Sequence, residues 1–268
     1  MAAAAALALG ATPAMANDAG SITHAAGAVS ATVTWDRAEF GVADARLTVV
    51  RDGVPFDVPV SDICLEGCII APDEPSTAPL DSSLKVADLD LDGEPEVLLD
   101  TFSGGAHCCV TTRVLTFTGA GYVPTDIDWR DLGYRLADLD GDGRLELDGN
   151  DPSFSAAFTA FAASAFPPLV LHVEHGRTVD VTRSFPAVVR KDAQRQLKLL
   201  RRLKPRDDVR GVLAAYVADE YLLGRGKLGL AEVDRQRARK AYLVTAGYRR
   251  TLLRRLKAWG YRARATAG

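Results

Sequence analysis

Asp88-Leu89-Asp90-Leu91-Asp92-Gly93-Glu94-Pro95-Glu96 sets acids at the first, third, fifth and ninth positions of a short run, with glycine at the sixth. The pattern returns fifty residues later as Asp138-Leu139-Asp140-Gly141-Asp142-Gly143-Arg144-Leu145-Glu146. Alternate carboxylates on a tightly turning backbone converge on one point. Like charges held that close repel unless a cation sits among them. A ligand set made only of oxygen suits a hard ion, and calcium takes about six to eight such ligands. The candidate ligands are the side chains of Asp88, Asp90, Asp92 and Glu96 with the carbonyl of Glu94. In the second copy they are Asp138, Asp140, Asp142 and Glu146 with the carbonyl of Arg144. Gly93 and Gly143 permit the turn.

An EF-hand loop closes with a bidentate glutamate at about position 12. That position holds Leu99 in the first copy and Gly149 in the second. Val97-Leu98-Leu99 and Leu147 follow the loops instead, and such aliphatic residues read as a strand rather than an exiting helix. A nine-residue acidic loop running into a strand resembles the calcium loops of FG-GAP/VCBS-type repeats, found in integrin-like β-propellers. The resemblance spans roughly residues 45–185 and implies calcium-binding turns in small antiparallel blades.

Between and around the loops the polarity alternates in pairs of runs. Residues 28–36 read as a strand. Leu47 to Val50 and Val54 to Val58 flank Asp52-Gly53, a strong hairpin signal. Pro55 and Pro59 place the second of these runs at a sheet edge. Residues 114–123 turn at Gly119 to Gly121, and 169–181 turn near Gly176. The order is hairpin, loop, hairpin, loop, hairpin, with a period in the range of propeller blades. A closed propeller needs about four blades, and this count gives two units and part of a third. Residues 152–166, with Phe154, Phe158, Phe161 and Phe166, fit either a helical face or an alternating strand, and in both cases a packing role.

From Pro186 the spacing becomes helical. Val189, Ala193, Leu197, Leu200 and Leu203 mark one helix, and Val209 to Val217 a second that ends at Gly224 to Gly226. A third is expected over 230–246 and a fourth over 249–258, stopped by Gly260. Charge divides at the same place. Residues 1–182 hold 9 Lys and Arg against 28 Asp and Glu, a net of −19. Residues 183–268 hold 23 against 7, a net of +16. A basic helical region can bind an external polyanion, but it also has an acidic partner in its own chain at high effective concentration. We expect it to dock there through apolar faces.

The apolar N-terminal residues 1–16, with Ala14-Met15-Ala16 before Asn17, read as a signal peptide. No later run approaches the ~18 apolar residues of a membrane span. Cys64, Cys68, Cys108 and Cys109 then read as two disulfides formed in an oxidising compartment. Bridges from the Cys64/Cys68 loop to the Cys108/Cys109 segment are favoured, since neighbouring cysteines bond only with strain. His107-Cys108-Cys109 is the one candidate for nucleophilic or zinc chemistry. Adjacent residues on an extended chain point opposite ways, so His107 is poorly placed to serve Cys108. No P-loop, nucleophile elbow or dinucleotide fingerprint is present.

The sequence therefore predicts an α+β protein in three parts. These are a signal peptide over 1–16, a calcium-binding β domain over 17–185 and a basic helical region over 186–268. The β domain is blade-like, antiparallel and propeller-like without closure. The expected role is binding or structural, exported or in the cell envelope, with calcium fixing loops and no enzymatic activity. Expected partners are a cell-wall polymer, a glycan or another exported protein, and not nucleic acid. The alternative is a secreted hydrolase with an acidic face built from Asp100, Asp148 or Asp151.

Overall fold

The computed structural model describes residues 19–262, apart from 65–66, 72–76, 79, 106–107 and the side chain of Cys108. The signal-peptide expectation and His107 lie outside the described residues. Among the described residues, three open antiparallel sheets of four strands come first, followed by four α-helices. The first sheet holds β1 (Gly20–Ala26), β2 (Val29–Arg37), β3 (Val42–Arg51) and β4 (Val54–Val58) in sequence order. The second holds β5 (Leu84–Ala87), β6 (Glu96–Gly105), β7 (Cys108–Phe117) and β8 (Tyr122–Arg130), again in order. The third holds β9 (Tyr134–Ala137), β10 (Glu146–Asn150), β11 (Pro168–Glu174) and β12 (Arg177–Asp180).

Three of these hairpins, β3–β4, β7–β8 and β11–β12, sit where the alternation placed them. The short strands β5 and β9 in front of the acidic loops were not foreseen, because four residues are too few to show a period. With them the count rises from two units and a part to three complete four-stranded units. The first unit has a two-residue turn at Gly27-Ala28 where the others carry an acidic loop.

The side-chain period of two explains how the units stack. Val97, Leu99 and Leu115 of the second sheet pack with Ile22, Val33, Leu47 and Val49 of the first. Leu98, Val114, Ile127 and Trp129 leave the opposite face and pack with Leu136, Leu147, Leu171 and Val173 of the third. The middle sheet is thus apolar on both sides, which is why Val97-Leu98-Leu99 is unbroken in sequence.

The helices are α1 (Pro186–Arg202), α2 (Arg210–Leu222), α3 (Gly226–Ala238) and α4 (Ala246–Ala258). The third begins and ends earlier than expected. Gly226 opens α3 instead of only closing α2, and Lys240 and Leu243 take positive φ, which breaks the helix before residue 246. Residues 152–166 form neither a helical face nor a strand. They make two single 3-10 turns, Pro152–Phe154 and Phe161–Ala163. Phe154 and Phe158 enter the helical core, with Trp259 at 5.0 and 5.8 Å between ring centroids. Pro152 and Asp151, whose carboxylate accepts from the Ser153 N–H, fix the entry.

Apolar packing and hydrogen bonds join the helices to the segments before them. Tyr261 donates to Asp151 at 2.7 Å, Thr159 to Asp208 at 2.5 Å, and Arg183 to the carbonyls of Tyr221 and Tyr261. Acids of this basic region turn inward: Asp219 is 0%, Glu220 2% and Glu232 4% exposed. No helix among the described residues is long and apolar enough to cross a membrane.

The expected cross-links between the two cysteine pairs are not formed. Cys64 bonds to Cys68, with Cα atoms 5.2 Å apart. A turn in which the Ile63 and Cys64 N–H groups donate to the Val60 carbonyl brings the pair together. Cys109 is also disulfide-bonded. The tie between units that the bridges were expected to make is made by backbone instead. Val42 pairs with Cys68 on the first-sheet side, and Ile69 pairs with Phe102 on the second.

Candidate metal centre

Each acidic loop joins the first two strands of its sheet: β5 to β6 and β9 to β10. Antiparallel pairing of Ala87 with Glu96 and of Ala137 with Glu146 brings the loop ends together. The two loops then fold in the same way. The Glu96 Oε2 accepts the Leu89 N–H at 2.9 Å, and Glu146 Oε2 accepts that of Leu139 at 2.8 Å. Asp88 and Asp138 each accept from the glycine five residues on, Gly93 and Gly143, at 2.9 and 3.1 Å. Both glycines have left-handed φ, +89° and +92°, which L residues other than glycine adopt only at a cost.

Asp88, Asp90 and Glu96 are brought together in the first loop, with one oxygen of each within 4.8 Å of the others. Asp138, Asp140 and Glu146 form the matching group in the second. Asp92 and Asp142 lie outside these groups and instead accept the N–H of Glu94 and Arg144, each at 2.8 Å. The side chains at the seventh position turn away from their own loops. Glu94 forms a bidentate pair with Arg51 of the first sheet, at 2.5 and 2.8 Å. Arg144 contacts His172, Glu174 and the Asp90 carbonyl.

The loops differ at the buried glutamate. In the first, Glu96 is fully buried, and neither its Oε1 nor Asp88 Oδ1 has a donor among the described residues. Burial first, then the charges of Asp90, Asp92 and Asp88, push its pKa up to about 7. In the second, the His172 Nε2 lies 2.9 Å from Glu146 Oε1. Sequence reading missed His172 and Arg51 as neighbours of the loops. Both sit on strands of other hairpins, and the only available hint was that His172 falls on the same strand face as Val170 and Glu174.

The acids set aside for an enzymatic face are already engaged. Asp100 holds Lys85 at 2.5 Å, Thr112 at 2.6 Å and the Tyr134 hydroxyl at 3.2 Å. Asp151 holds Ser153 and Tyr261. Asp148 lines a cavity of about 490 Å³ between β9, β10 and α1, where Arg135 takes its carboxylate at 2.5 Å.

Residues 189–248, from α1 into α4, match the family of the sll0997 C-terminal domain. Over 185 residues the chain is 34% identical to a probable thylakoid lumen protein, sll0997, of Synechocystis sp.. That alignment covers 65% of this chain and 54% of the relative. Over 91 residues it is 36% identical to an uncharacterized protein, y4bJ, of Sinorhizobium fredii, covering 33% of this chain and 14% of that one. The chain thus aligns with about half of the first relative and a small part of the second. No solved structure matches.

Proposed function

We propose that this is an exported calcium-binding protein of binding or structural type, in which calcium fixes the two acidic loops and does no chemistry. The observation that carries the reading is Glu96. A carboxylate oxygen sealed from solvent and without a donor among the described residues, on a glutamate gathered with Asp88 and Asp90, is costly for a protein to keep unless a cation neutralises it. The oxygen-only donors select a hard ion. In this reading Asp88, Asp90 and Glu96 hold the first ion and Asp138, Asp140 and Glu146 the second. Asp92 and Asp142 complete the loops, and the carbonyls of Glu94 and Arg144 add ligands. The FG-GAP/VCBS likeness and three stacked four-stranded units support it. A signal peptide over 1–16, a β domain over 17–185 and a helical region over 186–268 remain the proposed division.

Export is supported by the Cys64–Cys68 disulfide and by the printed name of the relative, a probable thylakoid lumen protein. The ligand would be a wall polymer, glycan or another exported protein. The internal partners of Asp100, Asp148 and Asp151 favour this over a hydrolase. The test is calorimetric titration of calcium into the chelator-treated chain, alongside Glu96→Gln. We expect saturable binding that weakens at least tenfold in the variant. No binding heat up to about 10 mM calcium, beyond the weak end of extracellular sites, refutes the reading.

A further inference from the structure

Asp90, one of the three acids gathered in the first loop, is held in part by the third unit. Its backbone carbonyl accepts from the Arg144 guanidinium at 3.2 Å, and its Oδ2 accepts the His175 N–H at 3.2 Å. Both contacts come from parts of the chain tied to the second loop. Arg144 is that loop's seventh residue, with its own N–H on Asp142 at 2.8 Å. His175 sits in the turn between β11 and β12. The ladder closes at Glu174 and Arg177, so the His175 N–H lies outside it and donates across to Asp90. From the second group of acids the contacts run without a gap. Glu146 Oε1 lies 2.9 Å from His172 Nε2, His172 Nδ1 lies 3.1 Å from the Arg144 guanidinium, and Arg144 reaches Asp90. We propose that the third unit completes the first ion site through Arg144 and His175, and that occupancy of the two loops is therefore positively coupled. This rests on the calcium reading above.

The direction of the coupling follows from what holds residue 144. With the second loop occupied, the Arg144 carbonyl serves as a ligand, and residue 144 is fixed there as well as at Asp142. Its side chain, 25% exposed, is then kept over Asp90 at a smaller cost in conformational freedom. Coupling between two binding sites is reciprocal, so occupancy of the first loop favours the second by the same factor. The contact falls where the first loop is least at ease. Asp90 precedes Leu91, which is exposed at φ +61°, while the matching residue of the second loop is Gly141. A left-handed leucine resists the turn that a glycine takes freely. The guanidinium also carries a charge that opposes a nearby cation. Glu174 lies 3.3 Å from it and offsets that charge, so Arg144 acts on Asp90 chiefly by position. Glu94 of the first loop reaches Arg51 of the first unit, but that unit has the Gly27-Ala28 turn in place of an acidic loop.

The experiment follows the two loops separately by nuclear magnetic resonance of the full chain, with calcium titrated after chelator treatment. The Gly93 and Gly143 amides, which donate to Asp88 and Asp138, report the first and second loops. Asp140→Ala disables the second loop, and Arg144→Ala removes the bridge while keeping the carbonyl. We expect each variant to raise the Gly93 midpoint about tenfold, within the usual range of coupling between sites. Arg144→Ala should still give a saturable response at Gly143. The double variant should match Asp140→Ala at Gly93, because the bridge has nothing left to transmit. A Gly93 midpoint lowered, or within about twofold of wild type, in either single variant overturns the coupling, as do shifts that multiply in the double variant. Wild-type loops that still saturate in that case leave the calcium reading standing. No response at either glycine in the wild type overturns both. If one single variant does not fold, the other decides on the same twofold limit.

Discussion

Removing calcium is the perturbation with the largest expected effect. In the calcium-free chain the pKa of Glu96 rises from 4.5 to about 7 on folding. That corresponds to roughly 3 kcal/mol, good to order of magnitude. A carboxyl with a raised folded pKa favours folding at acid pH, so in the calcium-free chain the Glu96 contribution should be most favourable below about pH 4.5. That contribution is lost as pH climbs to about 7 and then stays level. A cation among Asp88, Asp90 and Glu96 replaces the proton and removes that loss. With a dissociation constant of about 10⁻⁴ M, 10 mM calcium contributes about 2.7 kcal/mol per site by mass action. For a chain of this size each kcal/mol moves the melting temperature by roughly 2–4 °C, so one site should give on the order of 5–10 °C. The assay is differential scanning calorimetry at pH 8 in calcium or chelator, on the wild type and Glu96→Gln. The variant should melt higher than the wild type in chelator and gain less from calcium. Identical wild-type curves with and without calcium refute the argument.

Four further outcomes are expected. Leu91 is exposed at φ +61°, where the second loop has Gly141 at +82°, so Leu91→Gly should raise stability by about 0.5–1 kcal/mol in calcium. A lower melting temperature would count against strain at that position. Gly211→Ala should destabilise by roughly 1–3 kcal/mol by chemical denaturation although alanine favours helix. A Cβ there would lie 2.2 Å from the Ala163 carbonyl oxygen. Unreduced protein cut at Glu66 should give peptides joined through Cys64 and Cys68. A Cys64 peptide linked to the 108–109 segment would contradict the structure. Cleavage between residues 185 and 191 should be slow at both low and high salt, because Phe154 and Phe158 pack into the helical core. Rapid release of a helical fragment at low salt would show a separable module.

Local pattern carried a large share of the architecture. The acidic loops, three hairpins and four helices were legible because each has its signal within a dozen residues: acid spacing, Asp52-Gly53, glycine stops and helical periodicity. The convergence of Asp88, Asp90 and Glu96 was equally local, since the turn that gathers them is set by Gly93. Beyond that range the sequence had no means to speak. Cys64 could pair in more than one way until the turn from Val60 placed it 5.2 Å from Cys68. Phe154 and Phe158 lacked a period because their partners, Trp259 and Tyr261, arrive about a hundred residues later. His172 reached Glu146 through pairing of β11 with β10, and Arg51 reached Glu94 through stacking of separate sheets. Asp219 gave no sign of burial, since a carboxylate inside a helical core runs against the usual exposure of acids. Short-range chemistry thus determined the elements and the candidate ligands. The partners of the buried charges depended on which faces met, and those contacts exist only in the packed molecule.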